Sequence, residues 1–341
     1  KYIQPDIYKA IYYFSLAANN NYSEALIILG VIYYEGKYIQ PDINKAIYYF
    51  SLAAEYNYPE AINNLGAIYY EGKYIQRDIN KAIYYFSLAA NQNDTEAQLN
   101  LGTIYYEGKY IQPDINKAIY YFLLAAKKNE SKAQFNLGLI YEEGEDINNA
   151  IYYYSLAAYN NHREAQFILG MFYYDGIQIE QNINKAIRYF SLSARNGCIE
   201  SHFALGVIYS QSIYVKRDLE EAIHHYNLGS NNYDICSKHN LGIIYKYYEY
   251  KKNPIEYFEE VINKYEDQVS MYNLGHIYFY GEKVNMNLDK SIELLIKSSI
   301  KGFNVAKNVL TLAIIKKISI TKITKESIEE EIKKYNNDND D

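Results

Sequence analysis

The hydrophobic positions of this chain fall into helical stripes, and the stripes come in pairs. Between Thr95 and Tyr106 the apolar residues Ala97, Leu101 and Tyr105 stand at i, i+4 and i+8, which puts them on one face of an α-helix. Thr95 occupies the place of an N-cap, and Glu96 suits the positive end of the helix dipole. After a polar stretch, Ile115, Ala118, Tyr121, Phe122, Ala125 and Ala126 keep helical spacing behind Asp114, which is expected to cap a second helix. Large and small side chains alternate on that stripe, so neighbouring helices can interdigitate. Three residues beyond the Ala-Ala pair comes Asn129, and the same slot holds Asn21, Asn57, Asn93, Asn161, Gly197 and Gly302. Asn and Gly tolerate the left-handed backbone that closes a helix, so the second helix is expected to end there.

The two-helix unit recurs. A Leu-Gly pair places its Gly at Gly30, Gly66, Gly102, Gly138, Gly170, Gly206, Gly242 and Gly275, at intervals of 36, 36, 36, 32, 36, 36 and 33 residues. A further step of 36 lands on Thr311, after Leu310, where the motif has decayed as a terminal capping repeat does. Gly inside a helix costs about 1 kcal/mol relative to Ala. Its recurrence therefore predicts a close helix approach in which a Cβ would clash. The 32-residue unit is short only in the inter-helix loop, where Gly144-Glu145-Asp146 replaces the Gly-Lys-Tyr-Ile-Gln-Pro-Asp that begins at Gly36 and Gly108. The expected fold is all-α: a right-handed α-α superhelix, or solenoid, of about nine helix-turn-helix repeats of 32–36 residues with about nineteen helices. One array is expected over residues 1–335, most divergent around Tyr247–Asp267, and a polar disordered tail over 336–341. Because the chain opens at Lys1, without Met and inside a unit, it is expected to be a piece of a longer protein.

Composition narrows the function classes. Hydrophobic residues make up 49% and charged ones 22%, enough to bury a core. The net charge of −7 offers no surplus to neutralise phosphates, which argues against nucleic acid or an anionic membrane as partner. No apolar run is long enough to insert across a bilayer. Two cysteines exclude a disulfide scaffold and fit a reducing compartment, so a cytoplasmic location is expected, or the ER lumen if a signal peptide lies upstream of Lys1. Three glycosylation sequons start at Asn21, Asn93 and Asn129. Each pairs a helix-ending Asn with the expected cap of the next helix, so capping accounts for them.

The unit resembles the Sel-1-like repeats, relatives of the tetratricopeptide repeats. Its residues are Ala61, Leu65-Gly66, Tyr69, Gly72, Asp78-Ile79-Asn80-Lys81-Ala82, Tyr85-Phe86 and Ala89-Ala90, with equivalents along nearly the whole chain. The family's second loop glycine is Tyr38, Tyr74 or Tyr110 here, which bears on the loop and not on the fold. The resemblance implies an α-solenoid that binds other proteins, as scaffolds of ER-associated degradation and of signalling assemblies do. A non-enzymatic scaffold or adaptor with a protein or peptide partner is therefore expected. The alternative is the targeting region of a larger enzyme such as a protein kinase, or an adaptor of ER-associated degradation.

In a helix-pair solenoid the first helices line the groove that binds ligands. Two residues before the Gly stand Asn64, Asn100, Asn136, Asn240 and Asn273. A row of Asn amides can grip a peptide backbone, since each amide both donates and accepts; duplication of one ancestral repeat would produce the same row. One residue earlier stand Leu99, Phe135, Phe167 and Phe203, an apolar strip if exposed and core if buried. Four residues after the Gly come Tyr34, Tyr70, Tyr106 and Tyr174, each followed by a carboxylate, so the groove would be aromatic with an acidic rim. No GxxxxGK[ST], HExxH, GxSxG or CxxC motif occurs, and no catalytic residue or cofactor is expected. Cys198 and His202 with Cys236 and His239 have the types for a tetrahedral zinc site, but their offsets from the repeat glycine differ between units, and buried apolar cysteine is the favoured reading.

Overall fold

The computed structural model describes residues 6–20, 22–211, 213, 215–230, 235–248 and 252–337. It divides into two compact units, Lys1–Gln181 and Asn182–Asp341. Among the described residues every regular element is an α-helix.

The first unit contains α1 (Ile7–Asn19), α2 (Ser23–Glu35), α3 (Ile43–Glu55), α4 (Pro59–Glu71), α5 (Ile79–Asn91), α6 (Thr95–Glu107), α7 (Ile115–Ala126), α8 (Ser131–Glu143), α9 (Ile147–Tyr159) and α10 (Arg163–Asp175). Each helix packs on its neighbours in the chain, and α6 also touches α8. The repeat glycine explains the tight pairing within a unit. A Cβ on Gly102 would stand 2.5 Å from the Phe122 ring, which is itself fully buried. Gly30 and Phe50, Gly66 and Phe86, and Gly138 and Tyr154 repeat this arrangement. Around it Ala97, Leu101, Ala118 and Ala125 are sealed from water, so the apolar stripes read from the sequence form the core.

Both ends of each second helix are closed as chemistry requires. Asp114 Oδ1 accepts from the Lys117 amide at 3.0 Å, and Asp42, Asp78 and Asp146 do the same for their helices. At the other end Asn57, Asn93, Asn129 and Asn161 take φ of 60–63°, and the residue after Asn93 donates back to Ala89 O at 3.0 Å. Asn21 lies outside the described residues. Gly108, at φ 59°, turns α6 into the loop, and the loop closes when the Asp114 amide donates to Tyr105 O at 2.9 Å. The shortened unit keeps that closure through Asp146 N to Tyr141 O at 2.8 Å, with Glu145 in the left-handed position instead of Gly144. One cap differs from expectation. Asp94, not Thr95, caps α6, its carboxylate accepting from Ala97 N at 2.7 Å. Likewise Glu130 precedes α8 and Tyr22 precedes α2, so the sequon serines and threonine are first helical residues and not caps.

The second unit contains α11 (Ile183–Arg195), α12 (Ile199–Ser210), α13 (Leu219–Ser230), α14 (Ile235–Tyr247), α15 (Pro254–Tyr265), α16 (Gln268–Tyr280), α17 (Leu288–Ile300) and α18 (Val305–Asn337). Here too neighbours pack in order, and α12, α14, α16 and α18 touch along one side. Gly206 meets Tyr226 and Gly242 meets Phe258 as in the first unit, whereas Gly275 meets the flexible Leu295. The described helices number eighteen against the nineteen expected, because the last pair is one 33-residue helix. No Gly or Pro follows Gly302 to break it. That helix includes Asn336 and Asn337; residues 338–341 lie outside the described ones.

Candidate functional site

On the first unit the predicted positions share one face of the first helices. Asn64, Asn100 and Asn136 stand on α4, α6 and α8, each half-buried at the same register. Asn100 Nδ2 donates to Oδ1 of the buried Asn63 at 3.2 Å, while the Asn64 and Asn136 amides have no hydrogen-bond partner among the described residues. The neighbouring strip is neither free nor fully core. Leu99, Phe135 and Phe167 are half-buried. Leu99 leans on the α7–α8 core, and Phe135 stacks on the His162 ring at 4.4 Å between centroids. They form a floor, with the amides beside it.

Part of the acidic rim is tied up inside the chain. Tyr106 OH donates to Glu143 Oε1 at 2.7 Å, and Tyr34 bonds Glu71 in the same way, so each carboxylate ties one first helix to the one before it. Partial burial and that carboxylate push the Tyr106 hydroxyl up to about 12. Tyr70 is held by its rings, edge-on to Phe86 and Tyr110, and Tyr174 is half-buried with its carbonyl accepting from Gln181.

The second unit carries the other predicted residues. A cleft of ≈ 370 Å³ is lined by Phe203, Ile235, Cys236, His239, Asn240, Asp267 and Val269, from α12, α14 and the start of α16. Asn240 Nδ2 donates to Tyr226 OH at 3.1 Å, and Phe203 tilts against that Tyr226 ring. Asn273 is not available to a ligand. It is buried, accepting from Lys246 Nζ at 3.3 Å and donating to Val269 O at 3.1 Å. The Asn row is thus accessible at four of its five positions.

His239, Asp267 and Ser270 meet beside this cleft, yet not in the arrangement of a proton relay. Ser270 Oγ lies 2.7 Å and Asp267 Oδ2 3.5 Å from the same ring nitrogen, Nδ1, whereas a relay needs opposite nitrogens. Asp267 accepts from the Ser270 amide at 2.6 Å and so caps α16, and the His239 beside it holds its carboxyl well below the usual range. The four residues weighed for zinc are spread out. His202 faces His225 with their Nδ1 atoms 3.0 Å apart, Cys198 is buried near Glu200, and Cys236 is exposed. Among the described residues no three His, Cys, Asp or Glu side chains are grouped to hold a metal, and no helix is long and apolar enough to cross a membrane.

Sequence reasoning missed two sets of residues. Gln98, Gln134 and Gln166 are buried, and each donates across to the last turn of the preceding helix, at Ala90 O, Ala126 O and Ala158 O. Their signal was an Ala-Gln pair recurring in three successive units. Lys246 replaces the Tyr found four residues after the repeat glycine, and burial pulls its ammonium down to about 8.

Comparison with known proteins agrees with this architecture. The sequence model of the Sel1 repeat matches residues 1–22, 23–57, 59–94, 95–130, 131–162, 163–198, 199–234 and 268–303, and passes over 235–267, the segment of α14 and α15. A Sel1 repeat protein from Oxalobacter formigenes is 29% identical over 65% of this chain and 99% of its own, with a TM-score of 0.55. The protective antigen c5321 of uropathogenic Escherichia coli, which displays an SLR fold, is 24% identical over 89% of this chain and 74% of its own, with a TM-score of 0.57. No curated protein matches. With eight repeat matches spread over both units, and with the glycine-aromatic pairing and left-handed Asn closures recurring in step, the chain belongs to the Sel1 repeat family.

Proposed function

We propose that this chain is a non-enzymatic scaffold that binds an extended peptide segment of a partner protein along the first helices of its first unit. The fold is of a kind typically used for protein–protein interaction, and the finer reading rests on one observation. Asn64 and Asn136 hold partially exposed amides that nothing in the described chain satisfies, at one register on α4 and α8, beside a half-buried floor of Leu99 and Phe135. A backbone amide and carbonyl from a peptide would complete both groups, and an apolar peptide side chain would cover the floor. Glu71 and Glu143 already serve Tyr34 and Tyr106, which leaves the exposed Glu35 and Glu107 as the rim carboxylates open to a basic side chain of the peptide.

The test is selection from a random-peptide phage library, comparing the chain with Asn64→Ala/Asn100→Ala/Asn136→Ala. Peptides enriched by the wild type should lose at least tenfold in affinity for the triple variant, whose helicity and melting match the wild type. Equal affinity for both would remove the amides from the site. No enriched peptide would remove the peptide reading altogether.

A further inference from the structure

The cleft of the second unit departs from the repeat that built it. Six residues before the repeat glycine stand Glu24, Glu60, Glu96, Lys132, Glu164 and Glu200, a charged side chain in six repeats running. In the next two the place holds Cys236 and Val269, and both line the cleft. The apolar strip breaks at the same point, where Phe203 is followed one repeat on by His239. In the first unit Phe135 covers His162, at the head of α10, by stacking on its ring. The corresponding pair here is His239 and Asp267, joined through Nδ1 and Oδ2 at 3.5 Å, and no ring lies over the carboxylate in that way. Duplication copies a pattern, whereas these residues break it and gather around one cavity of ≈ 370 Å³.

The lining is apolar with one fixed charge. Phe203, Ile235, Cys236 and Val269 supply carbon and sulfur, Asp267 is the one carboxylate, and no Lys or Arg lines the cleft. The His239 ring and the bonds from Ser270 hold that carboxyl well below its usual range, so the charge is present at any ordinary pH. Asp267 gives Oδ2 to the Ser270 amide, and Asn240 gives its amide nitrogen to Tyr226 OH. Neither Asp267 Oδ1 nor Asn240 Oδ1 receives a hydrogen bond among the described residues. Two acceptors, one of them charged, are therefore left on separate elements of an apolar cleft, and a cation with several donors is what completes them.

We infer that this cleft is a docking site for an arginine side chain of a partner protein. A guanidinium carries five N–H donors in a fixed plane and can serve acceptors on two elements at once, whereas an ammonium is a point charge. The arginine stem covers apolar surface while its head stays with the charge, which suits Phe203 and Ile235 beside Asp267. The cavity has room for one long side chain and not for a folded element. The site lies in the second unit and uses none of Asn64, Asn100 or Asn136, so it stands or falls apart from the peptide face of the first unit.

Cys236 lets the cleft report its own occupancy, because it is exposed while Cys198 is buried. The measurement is the rate of Cys236 alkylation by iodoacetamide, followed by mass spectrometry, with and without the blocked tripeptide acetyl-Gly-Arg-Gly-amide. A cation beside the thiol would by itself favour the thiolate and speed the reaction, so slowing reports cover. At about 10 mM the arginine peptide should slow alkylation about fivefold, as an anchor of roughly millimolar affinity does. The citrulline counterpart, alike in shape and uncharged, should leave the rate unchanged, and the lysine counterpart should slow it less. Asp267→Asn, in which Asn still caps α16, should lose the protection with helicity retained. An arginine peptide without effect overturns the proposal, as does protection undiminished in Asp267→Asn or matched by the citrulline or lysine peptide. The peptide comparison uses the unaltered chain and is therefore independent of any effect on folding.

Discussion

The two units are built from one repeat, and they differ in what fills the same positions. In the first, apolar and neutral polar groups do the joining. Gly packs on rigid rings, Tyr33, Tyr69, Tyr105 and Tyr141 stack on Tyr49, Tyr85, Tyr121 and Tyr153, and buried Gln side chains bond helix-terminal carbonyls. In the second, several of those places hold other residues. His225 stands where Tyr49 does, Lys246 where Tyr34 does, and Leu295 where Phe50 does. Five of the six histidines belong to the second unit. A repeat can therefore keep its fold while a Tyr at one of these places gives way to His or Lys.

The largest expected effect tests the rigid interlock. Gly102→Ala drives a methyl into the fully buried Phe122 ring and should destabilise by about 1–3 kcal/mol, while Gly275→Ala, facing Leu295, should cost clearly less. Urea unfolding followed by hydrogen exchange on α6–α7 and α16–α17 would measure both. Equal losses would mean that ring rigidity plays no part.

Acid is the second lever. Burial, with His202 and His224 nearby, holds His225 down at about 4, and burial lowers His202 and His276 as well. These rings are neutral in the folded state and charge more readily when unfolded. Their stabilisation is complete above about pH 6.5 and is lost as pH falls toward about 4. Glu221, near His225 on α13, offsets part of that loss. In the first unit only His162 behaves so, at the start of α10. Hydrogen exchange at pH 7 and pH 5, corrected for intrinsic rates, should show protection falling in α12–α14 while α4–α7 hold. A matching fall in α4–α7 would erase the contrast.

Lys246 sharpens it from the alkaline side. Its ammonium is depressed to about 8, so holding the charge in the folded state is unfavourable at pH 7. Lys246→Met should raise the melting temperature at pH 7, and the gain should shrink as pH climbs from about 8 toward 10.5, where the folded wild type sheds its proton first. A gain independent of pH would assign the effect to packing. The smallest change is Tyr106→Phe. The hydroxyl is partly exposed, and losing its bond to Glu143 should cost roughly 0.5–1 kcal/mol at most.

The architecture could be read from the chain because its signals are local and repeated eight times. Gly102, Asp114 and Asn129 each act on their own or the adjacent helix, so spacing alone revealed their roles. Long-range pairings could not be read in this way. That Glu143 would accept from Tyr106, or that Asn273 would be drawn into Lys246 while Asn64 stayed open, depends on the residue at an equivalent place one repeat away. Single-repeat logic treats all five Asn positions as alike. The Asp94 cap was missed because Asp and Thr are both good caps and stand side by side.

The short-range packing of the first unit has a kinetic consequence. Each helix rests mainly on the ones before and after it in the chain, and the further contacts described reach only to the next first helix, so no distant loop has to close before contacts begin to reward the chain's ordering. Any helix pair can serve as a nucleus, and growth can proceed from it toward either end. With near-identical pairs, no one of them need be the obligatory starting point. A lesion such as Gly102→Ala should then divert the route rather than block it, leaving the folding rate nearly unchanged while unfolding accelerates from the damaged pair outward.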